Sequence, residues 1–188
     1  MAQSAQKLFL SVKLISIFSL WLTAALAFAA ESPLKLTKDD VVVFLGGTDM
    51  VRAQRSGHLE ALLTAKFKDD LPKFRDMSWE GDTVFALGTE IDRWRSGGFR
   101  GIKGLGNLET QLATVKATVV IVQLGKNEAF SGGEGVEAFI EGSDKLLGRL
   151  RGGNRQLIVL SPTPFEDAND PLYPDLRSRN DDLRRYVN

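Results

Sequence analysis

The chain has 188 residues, of which 43% are hydrophobic and 26% charged, and its 24 basic residues balance 24 acidic ones. These are the proportions of a packed globular chain, not of a disordered or collagen-like one, and a balanced charge leaves no polybasic footprint for nucleic acid. Cysteine is absent, which excludes disulfides, thiol nucleophiles, thiolate metal sites and haem attachment through Cys-x-x-Cys-His.

The first segment reads as an export signal. Lys7 and Lys13 are the only charges before Glu31, and an apolar run follows from Leu14 to Ala30, broken only by Ser16, Ser19 and Thr23. Its end, Ala27-Phe28-Ala29, has the small-x-small form that signal peptidase cleaves. The other reading is an uncleaved anchor, but a run of about 17 residues is at the lower limit for a spanning helix. The expectation is therefore a signal peptide over 1–29 and one exported domain over 30–188, periplasmic or secreted, with no stable membrane insertion after cleavage. Loss of Lys7 and Lys13 would leave 22 basic residues against 24 acidic ones in 159. That is no lever for DNA or anionic lipid, and an exported chain without disulfides must be held by its core alone.

Past the extended lead-in at Ser32-Pro33, Val41 to Leu45 is a β-branched apolar run closed by Gly46-Gly47, the pattern of a buried parallel strand. Between Gly57 and Lys68, apolar residues at Leu59, Leu62, Leu63 and Phe67 fit one face of a helix, which Pro72 ends. Phe74 to Trp79 fits a second short strand, with Gly81-Asp82-Thr83 as its loop. Gly88 to Gly106 is glycine-rich and basic, a long surface loop of the kind that often carries function. Leu108, Leu112 and Val115 carry a helix, Ala117 to Leu124 a third strand, and Val136 to Leu150 a helix ended by Gly152-Gly153. Gln156 to Leu160 reads as another buried strand, stopped by Ser161-Pro162, and a proline-rich loop leads to a last helix from Leu176.

Strand and helix alternate four times, the pattern of a parallel sheet with helices on both faces. In such sheets ligands bind beyond the carboxyl ends of the strands, so the loops after Leu45, Trp79, Leu124 and Leu160 are expected on one edge. Three of them carry groups with useful chemistry. Gly46-Gly47-Thr48-Asp49 offers a hydroxyl at a glycine turn just after a strand. Ser78-Trp79-Glu80-Gly81-Asp82-Thr83 offers a glycine, whose backbone N–H a ligand can approach closely. Gly125-Lys126-Asn127-Glu128 offers a side-chain amide. Nucleotide motifs fail: the first turn lacks the dinucleotide glycine spacing, and Gly125-Lys126 is followed by Asn127, not Ser or Thr.

In order and spacing these turns resemble the blocks of the SGNH (GDSL-type) hydrolase superfamily: Gly-Asp-Ser after strand one, a glycine block, then Gly-x-Asn-Asp. Here they stand as Gly46-Gly47-Thr48, Gly81 and Gly125-Lys126-Asn127-Glu128, and Trp79-Glu80-Gly81-Asp82-Thr83-Val84 resembles the second block of secreted bacterial members. The resemblance spans about Val41 to Pro162. It implies a flavodoxin-like three-layer α/β/α sandwich with a parallel sheet, an ester hydrolase acting on small-molecule or carbohydrate esters, and no cofactor. Thr48 then stands at the nucleophile position. Its N–H, the N–H of Gly81 and the Asn127 amide would form the oxyanion hole, where losing one donor typically costs about 10²–10³ in rate.

The departures are equally specific. The family's first-block Asp is Gly47 here, its Ser is Thr48, and its Asp-x-x-His block, the source of the general base, has no counterpart. Two explanations fit: a C-terminally truncated piece of a longer member, lacking a last strand and helix, or a degenerate member that binds a carbohydrate or acyl ligand without catalysis. The single histidine, His58, sits at the start of the first predicted helix with no carboxylate spaced to orient it and reads as a surface residue. Thr48, Gly81 and Asn127 each also have a plain reading as turn or cap residues. Trp79 and Trp94 suggest either sugar stacking or packing, and the pairs Asp39-Asp40, Asp69-Asp70 and Asp181-Asp182 read as solvated faces or caps, not a metal cluster.

Overall fold

A computed structural model describes residues 34–85 and 107–187. The predicted signal peptide and the Gly88–Gly106 segment with Trp94 lie outside the described residues. Four strands form one wholly parallel sheet in the order β2-β1-β3-β4: β1 Val41–Gly46, β2 Lys73–Asp76, β3 Val119–Gln123 and β4 Gln156–Leu160. The register pairs Val42 with Phe74 on one side of β1 and with Val119 on the other, and Val120 of β3 with Leu157 of β4. An order that runs outward in both directions from β1 is the doubly wound arrangement, and its switch point lies between β1 and β3.

Both faces of the sheet carry helices. Val43, Leu45, Val120 and Val122 point to one face and pack against Leu108 and Leu112 of α3 (Leu108–Thr114) and Leu146 and Leu150 of α4 (Val136–Arg151). Phe44 points to the other face, where its ring stacks on Phe74 at 5.8 Å and where fully buried Met50 of α1 (Thr48–Ser56) packs on β1 and β3. The α/β sandwich expected from the alternation is therefore the observed fold. Every residue of β1 and β3 is buried, which is why both read as unbroken β-branched runs. α3 opens where its sequence provides a cap: the Asn107 side chain accepts from the Thr110 N–H at 2.9 Å.

Four expectations need correction. The helix predicted from Gly57 is the second of two; α1 starts already at Thr48 and meets α2 (His58–Lys66) at Gly57, where φ is +67°. The apolar face of α2 is not a core face: no α2 residue is buried and Leu62 is 57% exposed, because it is α1 that covers the sheet. The second strand ends at Asp76 rather than Trp79, although the N–H groups of Met77 and Trp79 still donate to the carbonyls of Phe44 and Gly46 at 2.9 Å. Finally, β4 is not fully buried: among the described residues it pairs with β3 alone, and Val159 is 62% exposed. The C-terminal helix expected from Leu176 is a 3₁₀ turn (Arg177–Arg179) with Leu176 at its N-cap, running into α5 (Asn180–Arg185).

Candidate active site

The three turns singled out in the sequence meet at the carboxyl end of the sheet, around Gly47. β1 ends with Gly46, whose added Cβ would collide with the Gln123 carbonyl at the end of β3. Gly47 is buried, and a Cβ there would lie 2.8 Å from the Asp82 carbonyl oxygen and 3.6 Å from Asn127 Nδ2. Only a residue without a side chain lets the first, second and third turns approach this closely. This gives a physical reason for the departure at this position, where the resemblance would put an aspartate.

Thr48 is the first residue of α1 and is half-buried. Its Oγ1 accepts a hydrogen bond from the Gly81 N–H at 3.3 Å, across 33 residues of chain. Gly81 itself is exposed, with φ of +77°, and an added Cβ would meet nothing within 4 Å. Asn127 donates through Nδ2 to the Asp82 carbonyl at 3.3 Å. The three groups thus lie together, each engaged with a neighbouring turn. Among the described residues the Thr48 hydroxyl meets one hydrogen-bonding partner, and that partner is a donor. The pocket lined by Gly47, Thr48, Asp82, Gly125, Asn127 and Pro162 has a volume of about 10 Å³, room for about one water-sized group.

Two further devices hold this edge together. Glu128, 4% exposed, accepts from the Val84 N–H through Oε1 at 2.8 Å and from the Gly125 N–H through Oε2 at 2.9 Å. One carboxylate therefore ties the second turn to the third. Burial pushes its carboxyl above the usual glutamate range, while the two N–H bonds and its own backbone N–H work in the other direction. The second device is an ion pair: Lys126 Nζ lies 2.9 Å from Asp49 Oδ1, with side-chain exposures of 18% and 7%. Asp49 Oδ2 accepts from the N–H and the hydroxyl of Thr163 at 3.0 and 2.8 Å. The Lys126 ammonium donates to Thr163 Oγ1 at 2.9 Å and sits 5.0 Å from the centre of the Phe165 ring. The pair locks the first, third and fourth turns together.

Sequence reasoning assigned no role to Asp49, Lys126, Glu128 or Thr163. A signal did exist for Glu128 and Lys126: both are charges immediately after the most apolar strand in the chain, where a carboxylate or ammonium is costly unless it is bonded. His58 is exposed at the start of α2, and its N–H leans on Ser56 Oγ at 3.4 Å. Trp79 is 51% exposed at the rim. Of the acidic pairs, Asp40 bonds Thr37 and Thr118, and Asp70 accepts from the Lys38 N–H. No helix among the described residues is long and apolar enough to cross a membrane.

No protein-family model matches the chain, and no curated protein does. Among solved structures, a gut microbial diltiazem-metabolizing enzyme shares the fold with a TM-score of 0.57 at 14% identity. The alignment covers 81% of this chain and 34% of that one, so the chain spans about a third of the length of that enzyme. At such an identity the likeness concerns the fold.

Proposed function

We propose that the chain carries an ester-hydrolase site of the SGNH (GDSL) type, with Thr48 as the nucleophile. The supporting observation is the contact between two distant turns: the Gly81 N–H reaches Thr48 Oγ1 at 3.3 Å, and both lie beside Gly47 with Asn127. In this reading Thr48 Oγ1 attacks an acyl carbonyl carbon and its proton passes to solvent. The carbonyl oxygen, now negative, takes the Thr48 N–H, together with the Gly81 N–H and the Asn127 amide in place of their present partners, Thr48 Oγ1 and the Asp82 carbonyl. The alcohol leaves with a proton from water, and a second water frees the acid. The pocket of about 10 Å³ beside Thr48 and Asn127 has room for one oxygen atom, with the remainder of a small or carbohydrate ester lying outside it. The resemblance stated above and the α/β sandwich fold are consistent with this reading, and the N-terminal apolar run supports export.

No imidazole is available beside Thr48, and a positioned general base is typically worth about 10²–10⁴ in rate, so turnover is expected to be slow. Hydrolysis of p-nitrophenyl acetate should fall to background in Thr48→Ala and by about 10²–10³ in Asn127→Ala. Equal rates for the parent chain and Thr48→Ala would remove Thr48 as nucleophile.

One observation favours a second reading, a binding module of the same fold that retains the cleft without chemistry. The Thr48 hydroxyl meets a donor, not an acceptor that could take its proton, among the described residues. That reading expects no ester turnover, together with acyl or carbohydrate binding that Asn127→Ala weakens.

A further inference from the structure

Thr48, Arg52 and Arg55 follow one another at spacings of four and three residues along α1, so their side chains form one stripe of the helix. Both ends of that stripe meet the second turn. Thr48 Oγ1 takes the Gly81 N–H at 3.3 Å, and Arg55 Nη1 lies 2.9 Å from Glu80 Oε1. Met50, about half a turn round the helix, is buried against the sheet. Arg52 therefore stands on the solvent side of α1, between the two contacts, and it is exposed. Helical Cα–Cβ bonds tilt toward the helix N-terminus, and Cβ atoms four residues apart lie about 5–6 Å from each other. The Arg52 side chain thus starts back along the stripe toward Thr48.

The other charges around Thr48 are committed or covered. Asp49 pairs with Lys126 and Glu80 with Arg55, each at 2.9 Å. Glu128 is 4% exposed with both oxygens bonded, and Asp82 is 1% exposed. Arg52, in contrast, enters no hydrogen bond or ion pair among the described residues. The pocket beside Thr48 has room for one oxygen atom, so the rest of an ester held there lies on the surface, where this guanidinium stands.

We propose that Arg52 makes the site selective for esters that carry a carboxylate, on either the acyl or the alcohol part, by pairing with that group while Thr48 Oγ1 faces the carbonyl carbon. A guanidinium presents a planar fork of donors that matches the two oxygens of a carboxylate. One uncommitted cation balances one negative charge, which favours a carboxylate over a phosphate monoester at about −1.5 to −2. Arg52 holds the charged end of the substrate and takes no part in making or breaking the ester bond. This inference rests on the ester-hydrolase reading and adds a substrate class to it.

The test compares charged and uncharged esters of similar shape on the full chain. For a carboxylate on the alcohol side the pair is para-acetoxybenzoate and para-acetoxybenzamide; for one on the acyl side it is p-nitrophenyl hydrogen adipate and p-nitrophenyl hexanoate. In at least one pair kcat/KM should favour the charged ester, and Arg52→Gln should cut that ratio about tenfold, the low end for a hydrogen bond to a charged group. The change should fall on KM rather than kcat, as for loss of uniform binding. Arg52→Lys should keep part of the preference and Arg52→Glu should reverse it, a pattern that a merely structural role does not give. Equal ratios for the parent chain and Arg52→Gln in both pairs overturn the inference and leave hydrolysis at Thr48 standing. Equal rates for the parent chain and Thr48→Ala on every ester sink the ester-hydrolase reading instead. Saturation-transfer NMR of para-acetoxybenzoate and para-acetoxybenzamide then decides the charge preference without turnover: tighter binding of the carboxylate that Arg52→Gln loses supports it, and equal binding overturns it.

Discussion

At the carboxyl edge of the sheet, the groups that fix the turns and the groups offered for chemistry are bonded very differently. Glu128 uses both carboxylate oxygens at 2.8 and 2.9 Å, and Asp49 uses both of its own on Lys126 and Thr163. Among the described residues the Thr48 hydroxyl, in contrast, has one long contact of 3.3 Å with the Gly81 N–H, and the Asn127 amide one of 3.3 Å with the Asp82 carbonyl. The lesson is a division of labour. Short, buried, charge-assisted bonds set where the turns lie, and weak contacts leave the hydroxyl, the N–H and the amide free to exchange partners.

That contrast can be broken most severely at Glu128. Glu128→Ala would leave the N–H groups of Val84 and Gly125 buried without acceptors, at about 1–3 kcal/mol each, so a loss on the order of 3–5 kcal/mol is expected in urea denaturation. A loss below about 1 kcal/mol would show that the turns are held by something else. Asp49→Ala comes next. It strands the Lys126 ammonium, which is partly open to solvent and can relax toward it, so the expected cost is about 2–3 kcal/mol, less than for a fully buried pair.

Titration sharpens the same comparison. The Glu128 carboxyl binds its proton more tightly folded than unfolded, because burial raises its pKa above the ordinary 4.5. Its proton-linked stability is fully present below that ordinary value and is lost as pH rises through the raised one. The stability of the parent chain minus that of Glu128→Gln should therefore fall with rising pH across this window, by up to about 1.4 kcal/mol per pH unit. A difference that grows with pH would reverse the assigned direction. The smallest effect belongs to the reactive side: Thr48→Ala removes one weak contact and should change stability by less than about 1 kcal/mol, whatever it does to ester hydrolysis.

How much of this was legible beforehand depended on where each signal was stored. β1 and β3 are buried on both faces, so their runs of valine, isoleucine and leucine announce them directly. Gly152-Gly153 and the apolar spacing of Val136 to Leu150 likewise mark that helix by local chemistry. α1 was not legible because Thr48-Asp49-Met50-Val51-Arg52 reads as a turn and a polar stretch; one buried side chain, Met50, carries its packing. The apolar spacing of α2 misled for the opposite reason, since periodicity records a face but not what covers it. For the site, the turns could be named one at a time, yet the bonds from Glu128 to Val84 and from Asp49 to Thr163 join residues 44 and 114 positions apart.

By itself, then, the sequence determined the alternation of strands and helices, the parallel sheet and the edge at which Thr48, Gly81 and Asn127 would lie, because burial and turn chemistry act over a few residues. Tertiary structure alone decided that Gly47 is the meeting point of three turns and that Glu128 and the Asp49–Lys126 pair fasten them. Those outcomes depend on which distant backbone groups come within hydrogen-bond reach, and that follows from strand order and register, quantities that no local stretch of residues encodes.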